Sequence, residues 1–447
     1  MDRKILIVLV LLVFAYGQDK HDIPAGEHAK GTKTYDQFEK PEVCKSCHTD
    51  IYQQWRRSMM SKSYTHHWDE IEYFDLAVPH AKNNPEFKEA VDGCNGCHAP
   101  LAFLAGDVTP PRPSEGSRAN EGVSCDLCHS IVGVADEPVN FNYISSPGRI
   151  KYGSKPGLES PHHITKYNPI YKSTDLCGSC HNEKNPFGIW VKTTQMEWED
   201  GPYSKEGVKC FDCHMPGAVG RSASMAKIDT VAQHVFLGAH KPAKLRGAIE
   251  ISMHCREMEI PYDGTAEIQV ELFNAKAGHK IPTGSVEDRI MWLHVEATDS
   301  KGNTYHLKVD EKGFEGEEYT IATDKLAYKD FADAKGMEDF EGLPRDGVPV
   351  GDRIFRMPYL DQNGVMTIMQ WNTRELGVDY RIGPRETKIE TFTWPMPRDI
   401  AFGEVEVKAT LNYQKLVKPV AEYLDVPEEE SEIDVINKTS TNFLVYD

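Results

Sequence analysis

Five segments of the chain repeat the pattern Cys-x-x-Cys-His: CKSCH (Cys44 to His48), CNGCH (Cys94 to His98), CDLCH (Cys125 to His129), CGSCH (Cys177 to His181) and CFDCH (Cys210 to His214). Two thiols at this spacing can add to the two vinyl groups of one porphyrin, and the His that follows directly then supplies an axial nitrogen to the iron. The pattern reads as covalent attachment of c-type haem. Cys44, Cys47, Cys94, Cys97, Cys125, Cys128, Cys177, Cys180, Cys210 and Cys213 would form the thioethers, and His48, His98, His129, His181 and His214 the proximal iron bonds. Ten of the eleven cysteines are used in this way. Zinc knuckles rarely carry a His after every second Cys, and disulfide frameworks need none, so five haem c groups are the expected cofactors. The odd thiol, Cys255, lies in a strand-like segment and reads as a small buried hydrophobe.

Haem attachment of this kind belongs outside the cytoplasm, and the N-terminus agrees. Arg3 and Lys4 precede an apolar run, Ile5 to Phe14, followed by the small-x-small triplet Ala15-Tyr16-Gly17. Residues 1–17 therefore read as a signal peptide, with the mature chain starting near Gln18 and exported to the periplasm, cell surface or medium. The run is too short to span a bilayer as a helix, so no transmembrane segment is expected in the mature chain. The net charge of −19 argues against nucleic acid as a partner and suits basic docking partners or cationic metal species.

The texture changes near residue 245. Residues 18–244 hold every motif among short, Pro- and Gly-rich connections, so a mostly helical or irregular pentahaem domain is expected there. First cysteines are separated by 50, 31, 52 and 33 residues, an alternation that hints at haems arranged in pairs. From residue 245 to 447, runs such as Ala266-Glu267-Ile268-Gln269-Val270-Glu271-Leu272 alternate apolar and polar residues at period two. Several such runs separated by turns predict an antiparallel β-sandwich. The fold class is thus α+β and multidomain. Residues 311–347 read as an acidic insertion, and Glu428 to Glu432 as the start of a polar tail.

Residues between the motifs resemble the cytochrome c-554 family of multihaem cytochromes. Ile51-Tyr52-Gln53-Gln54-Trp55-Arg56-Arg57-Ser58 after the first motif is similar to that family's first-haem helix. Leu101-Ala102-Phe103-Leu104 after the second motif, Glu121-Gly122-Val123-Ser124 before the third, Ser160-Pro161-His162-His163 before the fourth and Glu197-Trp198 before the fifth continue the likeness. Ala277-Gly278-His279-Lys280-Ile281-Pro282-Thr283-Gly284 resembles a loop in β-domains appended to such cytochromes. The resemblance implies electron transfer through closely packed, mostly bis-histidine haems.

It also suggests where second axial ligands lie. Thirteen of the 18 histidines remain after the proximal five. His162 or His163, His234, His240, His80 and His279 are the candidates. Where the family's first helix carries a His, this chain has Met60. Three readings stand there: Met60 binds iron through sulfur, His66 or His67 replaces it, or Met60 only packs against a macrocycle. His21, His28, His294 and His306 are read as non-ligands.

Ligand supply favours a saturated electron carrier serving redox proteins, other cytochromes or extracellular metal acceptors, as a single chain, a homo-oligomer or a filament. The competing expectation is an oxidoreductase acting on a nitrogen or sulfur compound at one five-coordinate haem. Related enzymes often mark that haem with CxxCK, which does not occur here.

Overall fold

The computed structural model describes residues 23–447; the export signal at residues 1–17, the expected mature start at Gln18 and His21 lie outside them. In the N-terminal part each motif sits on a short helix: Pro41–Lys45 with the residues after it, Lys88–His98, Cys125–Cys128, Asp175–His181 and Cys210–His214. Tight packing dictates some of the residues between the cysteines. A Cβ at Gly96 would meet the Phe141 ring at 2.4 Å, and one at Gly178 would meet Gln195 at 3.0 Å. The helix Thr49–Arg56 buries Tyr52 and Trp55, and the Trp55 indole donates to the Val123 carbonyl just ahead of the third motif. The helix Pro100–Ala105 is buried along most of its length and ends at Gly106, whose φ of 78° only glycine adopts readily. No helix among the described residues is long and apolar enough to cross a membrane.

The C-terminal part is strand-rich. Its strands are β1 (Ile249–Cys255), β2 (Glu259–Pro261), β3 (Thr265–Asn274), β4 (Ile290–Thr298), β5 (Thr304–Leu307), β6 (Arg353–Phe355), β7 (Thr387–Pro395), β8 (Gly403–Gln414) and β9 (Asp434–Tyr446). One sheet has the order β7-β3-β1. The other runs β2-β9-β8-β4-β5, with β6 also pairing β4. All pairs are antiparallel except β2 with β9. Ile249, Val270 and Leu272 from the first sheet and Val295, Val407 and Phe443 from the second share one core. The alternating burial of β3 follows its alternating sequence, as a sheet with one face against a partner layer requires. The molecule is α+β, with helices gathered in its first part and antiparallel strands in its second.

One expectation needs correction. The segment after Glu432 is no polar tail. It forms β9, which lies between β2 and β8 inside the larger sheet and buries Ile436, Phe443 and Val445. The acidic stretch 311–347 is part of a longer segment with a buried core. The segment between β5 and β7 buries Tyr328, Phe331, Ile368 and Trp371 in a core shared with Trp68, Tyr73 and Leu76 of the N-terminal part. Its charges are paired inside: Arg353, fully buried, reaches Glu390 at 2.9 Å and Glu317 at 3.0 Å, and Asp346 bridges Arg345 and Arg356.

Hydrogen bonds tie the two parts together. The Asn185 amide donates to the Gln370 carbonyl at 3.0 Å and the Thr373 carbonyl at 2.7 Å, while its oxygen accepts from the backbone of Phe187 and Ile189. Arg381 reaches Glu197 at 2.7 Å, and Tyr359 donates to the Val191 carbonyl. Replacing Asn185 with Ala strands several buried backbone groups at once. The expected cost is roughly 1–3 kcal/mol of stability. Denaturant unfolding of the haem-loaded protein measures it, and an unchanged midpoint would remove Asn185 from the joint.

Candidate haem-iron centres

Four of the five proximal histidines are aimed by a neighbouring carbonyl. The Nδ1–H of His48 donates to the Ser222 carbonyl (2.5 Å), that of His98 to Ser63 (2.8 Å), that of His129 to Tyr152 (2.7 Å) and that of His214 to Leu237 (2.6 Å). A carbonyl only accepts, so Nδ1 carries the proton and Nε2 keeps the lone pair that binds metal. His181 has no such acceptor among the described residues. Burial holds His214 at about 4, and burial followed by the charges of Lys192 and Arg289 does the same for His181. Both imidazoles are therefore neutral and available as ligands near neutral pH.

The second axial positions can be tested by distance. Two imidazoles trans across one metal hold their nitrogens about 2.0 Å from it, with about 1.1 Å more to each ring centre, so their centroids stand about 6.2 Å apart. Three proximal histidines have such a counterpart. His163 stands 6.3 Å from His48, His234 stands 6.2 Å from His129, and His279 stands 6.4 Å from His214. The distal rings are oriented in the same manner: the Nδ1–H of His234 donates to Ala232 (3.0 Å) and that of His279 to Lys280 (2.8 Å). The loop that carries His279 is fastened to the N-terminal part by Glu197, which accepts from the Lys280 amide and the Thr283 hydroxyl.

Other candidates are placed differently. His162 is exposed and stands 3.5 Å from Glu39, so of the adjacent pair it is His163 that faces a proximal ring. His80 accepts the Trp371 indole N–H at Nδ1 (3.0 Å), which puts its own proton on Nε2 and removes the lone pair a metal would use. His66 spends both nitrogens on carboxylates, Asp69 and Glu430, each at 2.9 Å. His67 is exposed beside Glu429. His240 stands edge-on to His66 at 4.8 Å. Met60 opens the turn Met60–Lys62 with its carbonyl accepting from Val123. No imidazole is paired at the trans separation with His98 or His181 among the described residues. These separations depend on tertiary placement, and sequence spacing carried no signal for them.

An open cleft lies beside the second motif, lined by Cys94, Cys97, His98, Phe141 and Trp371 with Glu86 and Glu183 at its edge. Bound there, haem supplies reversible one-electron chemistry at iron. The motifs also touch one another. Cys44 lies close to Cys125, Cys97 to Cys180 and Cys177 to Cys210. Only the last of these links joins motifs that the alternating spacing would pair. The contacts make one connected group rather than separate couples, because Cys128 also lies within electrostatic reach of Cys177.

The second motif has a feature the others lack. Asp69 stands 3.3 Å from the Nδ1 of His98 as well as bonding His66. Burial opposes a charged His98 ring, but Asp69 outweighs it and raises that ring to about 9. A carboxylate behind a ligating imidazole makes it a stronger donor and stabilises ferric iron. The variant Asp69→Asn should raise the reduction potential of the haem on this motif by tens of millivolts and leave the other haems unchanged. A spectroelectrochemical titration resolves this, and an unmoved profile would remove Asp69 from control of that iron.

Comparison with known proteins agrees with these features. Residues 43–130 match the family model described as cytochrome c554 and c-prime. No curated protein shows a significant sequence match. A penta-heme cytochrome c552 from Thermochromatium tepidum shares the fold with a TM-score of 0.62 at 20% identity, over 92% of this chain and 100% of that one. The CARDB domain of a Pyrococcus furiosus protein matches 44% of this chain and 87% of its own at 12% identity, and its TM-score of 0.19 is too low to argue from.

Proposed function

We propose that this multihaem c-type cytochrome is an exported electron carrier that binds five haems and passes electrons among them to redox proteins, sister cytochromes or extracellular metal acceptors. The observation that carries this reading is the trio of imidazole pairs at 6.2–6.4 Å, each with the spacing of a saturated iron. Such an iron exchanges electrons without opening a coordination position. Contacts between the cysteines of different motifs would bring macrocycle edges together, so an electron entering at one haem can leave at another. Assembly of several chains into a filament would extend the same route, with the C-terminal sandwich as the element free to make contacts.

Stopped-flow reduction by a cationic metal complex tests the carrier role. The net charge of −19 should make exchange fast at low salt, with the rate falling severalfold as ionic strength rises to about 1 M and screens the attraction. A rate that rises with salt would overturn the docking part of the reading.

A second reading has its own observation. Among the described residues His98 and His181 face no paired imidazole, and Lys192 lies within electrostatic reach of both. A haem there would have room for a small nitrogen or sulfur compound. Turnover of nitrite, hydroxylamine or tetrathionate at tens per second, a rate typical of enzymes, would replace the carrier with an oxidoreductase.

A further inference from the structure

His294 and His306 face each other on the outer side of the larger sheet, away from every haem motif in sequence. The strand register sets them there. His306 on β5 stands opposite Glu296 on β4, and His294 lies two residues before Glu296 on the same face. Their rings are 5.0 Å apart and inclined by 23°. Asp352, from the segment entering β6, points its carboxylate between them. Its oxygens stand 3.0 and 3.1 Å from the His294 Nδ1, and one lies 2.7 Å from the His306 Nε2. The Asp352 side chain is wholly buried, while both imidazoles retain some exposure.

We infer that His294, His306 and Asp352 form a binding site for a divalent transition-metal ion of the zinc class, separate from the haems. Three arguments converge. First, a buried carboxylate needs a positive partner, and among the described residues Asp352 makes ion contacts with these two imidazoles alone. Second, the donor set is two nitrogens and one carboxylate oxygen, the combination that holds zinc-like ions with a fourth position left to water. Third, the spacing fits. All three donor atoms lie within 4.8 Å of one another. Tetrahedral ligands about 2.0–2.1 Å from a metal are about 3.3 Å apart, so an ion enters after an opening of a few tenths of an ångström. Ring centroids closer than the 6.2–6.4 Å of the haem pairs are what cis ligands give, as opposed to trans.

The surroundings suit such an ion. Glu296 stands 3.9 Å from the His294 Nε2, beyond hydrogen-bond reach, and adds negative charge beside that ring. Lys408 holds Glu296 from the neighbouring strand β8 at 3.3 Å. A metal here would pin β4 and β5 to the entry of β6 and so clamp the long insertion to the sandwich.

The test uses the haem-loaded protein, stripped of loose metal by dialysis and titrated with Zn²⁺. Calorimetry and elemental analysis should find one Zn²⁺ per chain, counted apart from haem iron, and Zn²⁺ should raise the thermal midpoint. His306→Gln, at a partly exposed position, should weaken binding by at least about a hundredfold and abolish the thermal shift with the haem spectrum intact. Asp352→Asn should do the same if it folds, and His306→Gln decides the matter if it does not. Failure of the wild-type chain to bind one equivalent, or equal binding by His306→Gln, would overturn the site and leave a hydrogen-bonded His-Asp-His cluster.

Discussion

Replacing His279 with Gly converts one haem, the one attached at Cys210 and Cys213, from low spin to high spin. The His279 ring stands 6.4 Å from the proximal His214, and its Nδ1–H is held by the Lys280 carbonyl, so its Nε2 has one role open to it. Removing the imidazole leaves no other ring at that distance from His214 among the described residues. Magnetic circular dichroism and electron paramagnetic resonance read the change directly. One high-spin equivalent per chain is expected, with the His48 and His129 centres untouched. A folded variant whose spectrum stays wholly low spin would exclude His279 as a ligand. Exogenous imidazole should restore the low-spin signal, which a merely structural disturbance would not allow.

The same substitution bears on the joint between the two parts of the molecule. His279 belongs to the strand-rich half by sequence, and its partner His214 to the helical half. The loop is already fastened by Glu197, which also pairs with Arg381. An iron bond would add a strong link to this set of hydrogen bonds and limit relative motion of the two halves. The His279→Gly variant should therefore show faster proteolysis in the loop as well as the spin change. His234→Gly, whose pairing with His129 lies within the N-terminal part, should show only the latter.

What the sequence disclosed, and what it hid, follows from the range of the interactions involved. The haem motifs are local chemistry, so five consecutive residues suffice to reveal them. The strands β3 and β8 were legible because one face is apolar and the other polar, residue by residue. β9 was not, because its middle, Asn437 to Thr441, is polar on both faces and an acidic run precedes it. The acidic count of residues 311–347 did not show how the charges of this region pair. Arg353 and Glu390 meet inside the core, and Asp346 bridges two arginines there. Distal ligands were legible as a set but not as pairs. His163 and His162 are neighbours in sequence, yet only His163 faces a proximal ring, and the Trp371 indole reaches His80 from nearly three hundred residues away. His294 and His306, set aside as non-ligands for haem, gain significance through Asp352, which sequence spacing gave no reason to place between them.

Carbon monoxide added to the fully reduced protein should bind rapidly to two haems per chain and to the other three slowly or not at all. The three imidazole pairs account for the slow class, because CO must first displace a His held by its own hydrogen bond and loop. The fast class would be the haems of the second and fourth motifs, whose proximal residues, His98 and His181, face no paired imidazole among the described residues. Their environments differ enough to be told apart. His98 is backed by Asp69, which strengthens the iron–imidazole bond and should lower the C–O stretching frequency at that haem by increasing electron donation from the metal. His181 lacks a carbonyl acceptor for Nδ1 among the described residues, so its CO band should lie higher. The region also holds carboxyls that burial displaces upward: Asp288 rises to about 7, and Glu287, with both carboxylate oxygens free of hydrogen bonds, is held well above the ordinary carboxyl range. Flash photolysis with infrared detection separates the classes. Two fast equivalents with two band positions support two open irons in an otherwise saturated carrier. A chain in which all five haems resist CO would mean that Met60, another side chain or a second subunit closes those positions, and the enzymatic alternative would lose its one structural support.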